Sequence, residues 1–556
     1  MATNFQPLLD PSAKKLTSSS GKTVYVFISL LAILGLTALL LSADLSTIHD
    51  KLEGLSIPSH ICARAHDRNS CLALTAPLVG GNGGGVKFSE VELLKQFLNN
   101  SISSIGDVMK LTKSVVNRVN DLREKSALAD CMELMDSSID RVHDSISVLS
   151  KNQQHFDAQT WLSSVLTNHV TCLDGLTGST RPELESHLED LVARARTSLA
   201  ILCATSCPSN DDMINKPLNG RFPLWVTTRD RKLLSTPLNA ARNADVVVAK
   251  DGSGKYNTVN KAVAAAPTNS KNRYVIYIKK GTYKENVEIP KNKKNLMLTG
   301  DGMGLTIITG SLNVVDGSTT FKSATLIVGG DGFMAQDIWI QNTAGPQKHQ
   351  AVALRVSADQ SVINRCRLDA YQDTLYTHTL RQFYRDCYIT GTVDFIFGDA
   401  AVVFQKCQLV PRKPMSGQGN MVTAQGRTDP NQNTGTSIQN CDIIASSDLE
   451  PVKKSFRTYL GRPWKEYSRT VVLQSNIGDV IDPAGWSPWD GEFALKTLYY
   501  GEYMNRGAGA GTSKRVKWPG YHVITSAAEA NKFTVASMIQ GGVWLKSTGV
   551  SYTEGL

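Results

Sequence analysis

The chain has 556 residues, of which 59 are Lys or Arg and 50 are Asp or Glu, giving a formal net charge of +9. This length exceeds one ordinary compact core, so we expect two folded domains behind an N-terminal segment. The basic excess attracts polyanions in general, including nucleic acid, acidic lipid and acidic polysaccharide, and does not choose among them. The sequence has no zinc-type Cys/His spacing, P-loop or dinucleotide-binding glycine pattern, which argues against those classes.

The N-terminus combines a polar, lysine-bearing stretch over residues 1–23 with an apolar run over residues 24–41. The run is just long enough to span a bilayer and is long for a secretory signal core. Lysines on its N-terminal side favour a cytoplasmic tail and a lumenal remainder. We therefore expect a signal anchor or transmembrane helix. A cleaved signal is the alternative, because Ser42 and Ala43 are small, although Leu41 beside them makes a poor cleavage site.

Residues 45–207 carry apolar residues at intervals of three to four, which predicts an all-α domain, a four-helix bundle. Its cysteines should be partly oxidised in a secreted chain; they are Cys62, Cys71, Cys131, Cys172, Cys203 and Cys207. Cys62 and Cys71 are close enough to close a local hairpin, and Cys131 with Cys172 could tie two helices, but spacing alone leaves the pairing open. Asn99 begins a glycosylation acceptor sequence.

Residues 208–238 form a break rich in Asn, Asp, Arg and Pro, which predicts a linker between two domains. The linker contains Arg231-Lys232-Leu233-Leu234, and an exposed basic segment of this kind is open to proteases. A plain solvated connector is the alternative interpretation.

After Asp245 the pattern changes to short β-branched runs separated by Gly, Asp and Asn. Five segments align in one register, with first residues 28, 21, 20 and 34 positions apart; they are Asp337-Ile-Trp-Ile-Gln, Arg365-Cys-Arg-Leu-Asp, Asp386-Cys-Tyr-Ile-Thr, Lys406-Cys-Gln-Leu-Val and Asn440-Cys-Asp-Ile-Ile. These spacings match single coils with loops of varying length, so residues 239–556 are predicted to form a parallel β-helix. The aligned cysteines are either small buried side chains or disulfides between neighbouring coils.

Two aspartates lie at the same distance after the cysteines of two aligned segments. Asp373 lies seven residues after Cys366, and Asp394 lies seven residues after Cys387. On successive coils they would stand about 4.8 Å apart. Two carboxylates at that distance resist joint ionisation, so one should hold a proton near neutral pH. A purely structural role for both aspartates is the alternative.

From about residue 243 to residue 556 the chain resembles plant pectin methylesterases, and residues 45–207 resemble the pectin methylesterase inhibitor domain that precedes many of them. Five strings in the family's order carry the resemblance: Gly281-Thr-Tyr-Lys-Glu285, Gln350-Ala-Val-Ala-Leu-Arg355, Tyr371–Tyr376, Gly391–Gly398 and Leu460-Gly-Arg-Pro-Trp464. Each string is weak alone, but the five together are highly specific.

The resemblance implies a right-handed β-helix that removes methyl groups from esterified galacturonate in cell-wall pectin, without a metal or other cofactor. It implies that Asp394 is the nucleophile and Asp373 the general acid and then the base. Gln350 and Gln372 would donate hydrogen bonds to the developing oxyanion. An amide ladder inside the coil stack is the structural alternative for the two glutamines.

The same resemblance assigns three residues to substrate binding. Arg462 would pair with Asp394 and keep it charged, Trp464 would offer an apolar face to a sugar ring, and Thr320 matches a substrate-contacting position. A loop salt bridge and a packed aromatic residue are the structural alternatives for Arg462 and Trp464.

The resemblance also implies a course of maturation. A subtilisin-like protease would cut at Arg231-Lys232-Leu233-Leu234, and the mature enzyme would begin between Ser235 and Asn239. Before cleavage, the helical domain would restrain the enzyme or assist its folding. The membrane-anchored precursor would thus yield a monomeric enzyme in the cell wall, held on pectin by its basic charge and with no nucleic-acid partner.

Three other functions remain open from the sequence. The first is a non-catalytic pectin-binding β-helix. The second is a pectate lyase or polygalacturonase, which would need clustered calcium carboxylates with a basic residue, or more inward-facing acids than the pair identified above. The third is a helical domain that acts chiefly as a free inhibitor of other pectinesterases after cleavage.

Overall fold

The computed structural model describes residues 59–80, 89–151, 155–206 and 243–556. Several predictions therefore fall on residues outside those described; they are the tail 1–23, the apolar run 24–41, the linker 208–238 with its Arg231–Leu234 site, and Cys207. Among the described residues, no helix is both long enough and apolar enough to cross a bilayer.

The N-terminal region is helical, as predicted. A 3-10 turn over Cys62–Arg64 precedes helices α1 (Arg68–Gly80), α2 (Glu90–Val116), α3 (Leu122–Leu149), α4 (His155–Gly175) and α5 (Thr180–Ser206). Side-chain caps begin two of them: Ser89 accepts a hydrogen bond from the Glu92 N–H, and Asp121 accepts from the N–H groups of Arg123 and Glu124. The long helices α2 to α5 pack against one another around a shared apolar core.

Two disulfides fasten this region. Cys62–Cys71 joins the 3-10 turn to α1, and Cys131–Cys172 joins α3 to α4. Both pairs that the sequence suggested are thus confirmed. The second bridge closes the larger loop, because its cysteines are 41 positions apart, and it ties α3 to α4.

The C-terminal region is a parallel β-helix built from three sheets, with strands numbered in chain order. The eleven-stranded sheet contains β1 (Val246–Val248), β2 (Tyr274–Ile278), β5 (Leu296–Gly300), β8 (Met334–Gln336), β11 (Ser361–Asn364), β14 (Arg381–Arg385), β17 (Ala401–Gln405), β20 (Gly435–Gln439), β23 (Arg469–Leu473), β25 (Tyr499–Tyr503) and β26 (Tyr521–Val523). The eight-stranded sheet contains β3 (Gly281–Lys284), β6 (Thr306–Gly310), β9 (Trp339–Asn342), β12 (Arg367–Asp369), β15 (Tyr388–Gly391), β18 (Gln408–Pro411), β21 (Asp442–Ile443) and β24 (Asn476–Ile477).

The seven-stranded sheet contains β4 (Val287–Ile289), β7 (Leu326–Val328), β10 (Leu354–Val356), β13 (Leu375–Thr377), β16 (Ile396–Gly398), β19 (Asn420–Gln425) and β22 (Thr458–Gly461). Neighbouring strands in each sheet run parallel, one coil apart. Short helices flank the solenoid: α6 (Val259–Ala265) near its start, and α7 (Ala527–Asn531), α8 (Val535–Ile539) and α9 (Gly541–Trp544) at its end. Single 3-10 turns lie at Pro346–Lys348, Glu450–Ser455 and Leu545–Thr548.

The register predicted from the five aligned segments is confirmed in the eight-stranded sheet. The third residue of each segment pairs with the third residue of the next, from Trp339 through Arg367, Tyr388 and Gln408 to Asp442. The first residue of each segment occupies a corner with left-handed backbone; these residues are Asp337, Arg365, Asp386, Lys406 and Asn440, at φ between 49° and 57°.

The aligned cysteines Cys366, Cys387, Cys407 and Cys441 stack in the interior of the coils as buried, unpaired thiols. Burial raises the pKa of Cys366, Cys387 and Cys407 well above the usual value, so these thiols stay protonated. Of the two interpretations left open by the sequence, the structure has small buried side chains and no disulfides among these four.

The helical domain packs against the face of the solenoid that the seven-stranded sheet forms. One apolar cluster runs from the helical core into the β-helix, where its members are Phe321, Ala324, Ile327, Val352, Tyr376, Phe397 and Ala424. A partly buried ion pair joins Asp157 of α4 to Arg381 of β14 at 2.6 Å, and Arg381 also binds the buried Asp359. The two domains therefore share a continuous core with buried polar bonds.

Replacing Lys406 with valine should destabilise the solenoid, because a β-branched side chain is strained at the φ of 52° that this corner adopts. We expect a loss of about 1–3 kcal/mol in the free energy of unfolding, measured by denaturant titration. Gln408→Val is the matched control, because Gln408 is also exposed but lies in extended backbone in β18. Equal losses in the two variants would contradict the importance of the left-handed corner.

Candidate active site

Two carboxylates stand side by side at one corner of the solenoid. Asp373 lies two residues before β13 and Asp394 two residues before β16, and these strands pair Leu375 with Ile396. The aspartates are thus in equal register on adjacent coils, about 4.8 Å apart along the solenoid. Both have left-handed backbone, with φ of 64° and 51°, and both line one cleft. The stacking that the sequence predicted is present.

The two carboxyl groups have different surroundings. Arg462 donates two hydrogen bonds to Asp394, from Nε at 2.8 Å and from Nη2 at 2.7 Å. Burial raises the pKa of Asp394, and the Arg462 guanidinium opposes that rise. Burial and the neighbouring Asp394 raise the pKa of Asp373 well above its usual range. Asp373 therefore holds a proton under conditions in which Asp394, paired with a cation, is charged.

The other residues singled out in the sequence line the same cleft, which has a volume of about 810 Å³. Gln350 and Gln372 lie beside the aspartates, and Thr320 and Trp464 form part of the wall. The structure therefore brings these residues together in one cleft, and their roles stay a prediction.

The two glutamines do not belong to a buried amide ladder. Such ladders exist elsewhere, where Asn364 donates to Gln336 and Gln405 donates to Gln439, each at 2.8 Å. Gln350 and Gln372 are instead partly exposed to the cleft, and their side-chain amides make no hydrogen bond within the described part of the chain. Their donors are free to meet a ligand.

Several aromatic residues in the cleft were not predicted. Tyr376 stacks on Phe397 with ring centroids 4.2 Å apart, and Phe397 meets Trp464 edge-on at 6.0 Å. The Arg462 guanidinium lies over the Trp489 ring, 4.3 Å from its centroid. Tyr376 and Phe397 lie within the segments Tyr371–Tyr376 and Gly391–Gly398, so the sequence offered them as candidate aromatic residues of the cleft. Trp489 lies in a loop, and no spacing rule would have identified it.

The helical domain lines this cleft from the other side. Asp130 of α3 accepts a hydrogen bond from the Thr319 hydroxyl at 2.5 Å, and Asp174 of α4 forms an ion pair with Lys465 at 2.7 Å. Burial raises the pKa of Asp130 to about 6. Helical residues thus line the same cleft as the aspartate pair, and no pattern in the sequence predicts this contact.

Polar bonds that are buried or partly buried dock the helical domain on the β-helix. Thr171 of α4 is hydrogen-bonded to His378 Nε2 at 3.0 Å, and Thr167 donates to Asp399 at 2.6 Å. Trp161 donates to Asp359 at 3.1 Å. Such bonds are stronger when water is excluded, so α4 is firmly docked.

Among the residues that the structure describes, no group of three or more His, Cys, Asp or Glu side chains is arranged to hold a metal ion. The chemistry available in the cleft is that of a charged carboxylate beside a protonated one, with amide donors at hand. This set of groups suits acyl transfer, in which one carboxylate attacks, one acid protonates the leaving group and amides stabilise an oxyanion.

Comparison with known proteins places the chain in a family. The Pectinesterase family model matches residues 245–542, and the Plant invertase/pectin methylesterase inhibitor model matches residues 56–204. Pectinesterase 2.1 from Solanum lycopersicum is 60% identical over 501 residues, which are 90% of each chain. Pectinesterase/pectinesterase inhibitor 18 from Arabidopsis thaliana is 56% identical over 568 aligned positions, which cover all of both chains.

The solved structure of pectin methylesterase from carrot is 65% identical, with a TM-score of 0.56, and the match covers 56% of this chain and 98% of that one. A match of that extent has the length of the β-helix without the helical domain, so a β-helix of this kind exists as a structure without one. The fold and site define a parallel β-helix protein with a paired-carboxylate cleft. The chain belongs to the pectinesterase family and carries an inhibitor-type helical domain before its pectinesterase domain.

The substitution Asp394→Asn should lower the pKa of Asp373, because it removes the like charge that disfavours ionisation of Asp373. The pKa can be followed through the carboxyl ¹³C shifts of aspartate-labelled protein during a pH titration. Asp448→Asn is the control, because Asp448 is exposed and lies outside the cleft. An unchanged Asp373 titration in Asp394→Asn would contradict the coupling of the two groups.

Proposed function

We propose that this protein is a pectinesterase, which hydrolyses the methyl esters of galacturonate residues in pectin to give pectate and methanol. The observation that carries the proposal is the pair Asp373 and Asp394 in equal register, one held protonated and the other held charged by Arg462. Membership of the pectinesterase family supports the choice of substrate.

The reaction would proceed in two halves. The Asp394 carboxylate attacks the ester carbonyl, and Asp373 gives its proton to the departing methoxide, which leaves as methanol. An acid anhydride then joins Asp394 to the galacturonate. Asp373, now a carboxylate, takes a proton from water, and the resulting hydroxide attacks the anhydride. The galacturonate leaves as a carboxylic acid and both aspartates are restored; the acid then gives its proton to the solvent. Gln350 and Gln372 donate to the oxyanion that forms in each half.

The remaining cleft residues would position the polymer. Arg462 keeps Asp394 charged and fixes its direction through two hydrogen bonds. Trp464 presents an aromatic face on which a pyranose ring can pack, and Thr320 offers a hydroxyl near the same ring. Trp489 extends this aromatic surface on the far side of Arg462.

Asp394→Asn and Asp373→Asn should each lower kcat for methanol release from esterified pectin by about 10²- to 10⁴-fold, because each removes a group that acts in the transition state. The form to assay is the β-helix, residues 239–556. Asp448→Asn should retain full activity. Circular dichroism should show unchanged β-structure in all three variants. Substantial methanol release by either site variant would mean that the roles are misassigned, and a β-helix that binds pectin without releasing methanol would be a non-catalytic binding protein.

We also propose that the helical domain inhibits the enzyme before secretion. Asp130 and Asp174 line the cleft together with the aspartate pair, and polar bonds dock the domain there, so the docked helices would obstruct the approach of a polymer. Cleavage by a subtilisin-like protease at Arg231-Lys232-Leu233-Leu234 would remove the cover. The precursor would be anchored through residues 24–41, and the released enzyme would act as a monomer in the cell wall, without nucleic acid as a partner.

Two finer points of architecture belong to the same proposal. The solenoid is taken to be right-handed, as almost all parallel crossover connections are. The helical domain over residues 45–207 is taken to be a four-helix bundle formed by α2 to α5. Residues 239–556 then form the mature enzyme, with residues 208–238 as the linker.

Arg231→Ala combined with Lys232→Ala should leave the full chain uncut in plant cells. The uncut chain should release methanol at least about 10-fold more slowly than the cleaved enzyme, because a tethered cover acts at high effective concentration. Immunoblots give the chain length, and a methanol assay gives the rate. Lys216→Ala with Arg221→Ala removes the same charge from the linker and should be processed normally. A short secreted form of the first variant would locate cleavage elsewhere, and full activity of the uncut chain would contradict inhibition.

A further inference from the structure

One buried side chain joins two segments of the chain that border the cleft. Asn342, the last residue of β9, is only 4% exposed. Its Nδ2 group lies 2.8 Å from the carbonyl oxygen of Leu312, 3.0 Å from that of Val352 and 3.2 Å from that of Ser323. The amide has two hydrogens, which these three acceptors share. Its own oxygen accepts a hydrogen bond from the Ala344 N–H at 3.0 Å, so both ends of the side chain are used.

The three carbonyl groups belong to the segments that carry two of the proposed site residues. Leu312 and Ser323 lie before and after Thr320 in the loop that joins β6 to β7. Val352 lies two residues after Gln350. Thr320 and Gln350 both line the cleft. The Asn342 amide therefore fixes the distance between the loop of Thr320 and the segment of Gln350.

A buried hydroxyl group makes a second connection between the same segments. Ser323 donates a hydrogen bond to the Thr320 carbonyl oxygen at 3.0 Å and accepts one from the Val352 N–H at 3.2 Å. Its side chain is fully buried. Hydrogen bonds that are shielded from water are stronger than exposed ones. We call Asn342 and Ser323 together the polar clamp.

The loop that leads into Gln350 does not favour its observed course by itself. Its last residue, His349, has φ of 55° and ψ of −132°, which is sparsely populated for a residue with a side chain. A strained conformation of this kind persists only where the surrounding structure holds it. The polar clamp supplies that hold, together with a hydrogen bond from the Val314 N–H to the Gln350 carbonyl oxygen at 3.1 Å.

The direction of the Gln350 side chain depends on this backbone. Its amide makes no hydrogen bond within the described part of the chain, so no bond of its own fixes it. The next residue, Ala351, donates its N–H to the carbonyl oxygen of Gln372 at 3.3 Å, on the coil that carries Asp373. A displacement of this segment would therefore move the Gln350 amide relative to the aspartate pair.

We propose that Asn342 and Ser323 are positioning residues for the esterase reaction, which hold the Gln350 amide where the oxyanion forms. The inference rests on the proposed function, because the oxyanion arises only if Asp394 attacks an ester. Neither residue of the polar clamp lines the cleft, so both act through Gln350 and not through contact with the polymer.

A double-mutant cycle on methanol release by residues 239–556 tests this role. Asn342→Ala should lower kcat for esterified pectin by about 10- to 100-fold, because a displaced amide loses its contact with the transition state. Asn342→Ala combined with Gln350→Ala should be no slower than Gln350→Ala alone, because residues that act through one group are not additive. The pH profile of kcat should be unchanged, since Arg462 and both aspartates are intact.

Asn364→Ala is the matched control, because Asn364 is also a buried amide, 4% exposed, but it donates to Gln336 and does not line the cleft. It should lower the melting temperature, as Asn342→Ala does, and leave kcat unchanged. Ser323→Ala removes one hydroxyl group and should lower kcat by about 3- to 10-fold, so it decides the question if Asn342→Ala does not fold. A normal kcat in the folded clamp variants, or losses that multiply in the double variant, would overturn the positioning role.

The two proposals fail in different ways. If unmodified residues 239–556 release no methanol, the proposed esterase function is wrong, and the side-chain amide signal of Gln350 in ¹⁵N-glutamine-labelled protein then tests the positioning alone. That signal should shift in Asn342→Ala and Ser323→Ala but not in Asn364→Ala. If methanol release is normal and the signal is the same in all variants, the positioning role is wrong and the esterase function stands.

Discussion

The equal register of β13 and β16 is the constraint on which the rest of the structure depends. Parallel pairing of Leu375 with Ile396 sets Asp373 and Asp394 one coil apart, and at that spacing two carboxylates in a buried corner cannot both ionise readily. Arg462 makes the surroundings of the two carboxyl groups different, because it donates two hydrogen bonds to Asp394. A shift of one residue in this pairing would turn one aspartate side chain away from the other. The two carboxyl groups would then no longer influence each other's ionisation.

The helical domain is built to match the surface that this arrangement creates. Its acidic residues Asp130, Glu133 and Asp174 meet hydroxyl and cationic partners around the cleft, and its apolar core continues into the β-helix. The docked helical domain therefore occupies polar and cationic groups around the cleft.

Much of the fold followed from local rules. The alternation of short β-branched runs with turn residues and the constant coil spacing predicted the parallel solenoid, and the helical periodicity predicted the N-terminal domain. The pairs Cys62–Cys71 and Cys131–Cys172 were among the pairings that the spacing allowed. The left-handed corner at the first residue of each repeat was not predicted, because a residue such as Lys406 is not typical of that conformation.

The sequence by itself determined the coil register and with it the stacked aspartates, since a repeat of fixed spacing places equivalent residues above one another whatever surrounds them. Only the tertiary structure decided what faces the aspartates. The ion pair from Arg462 comes from 68 positions away, and Glu133 reaches Arg355 across 222 positions. The first contact depends on how the residue directly after β22 reaches a coil two turns away, and the second on how the helical domain docks on the β-helix. No periodic pattern in the chain predicts either geometry.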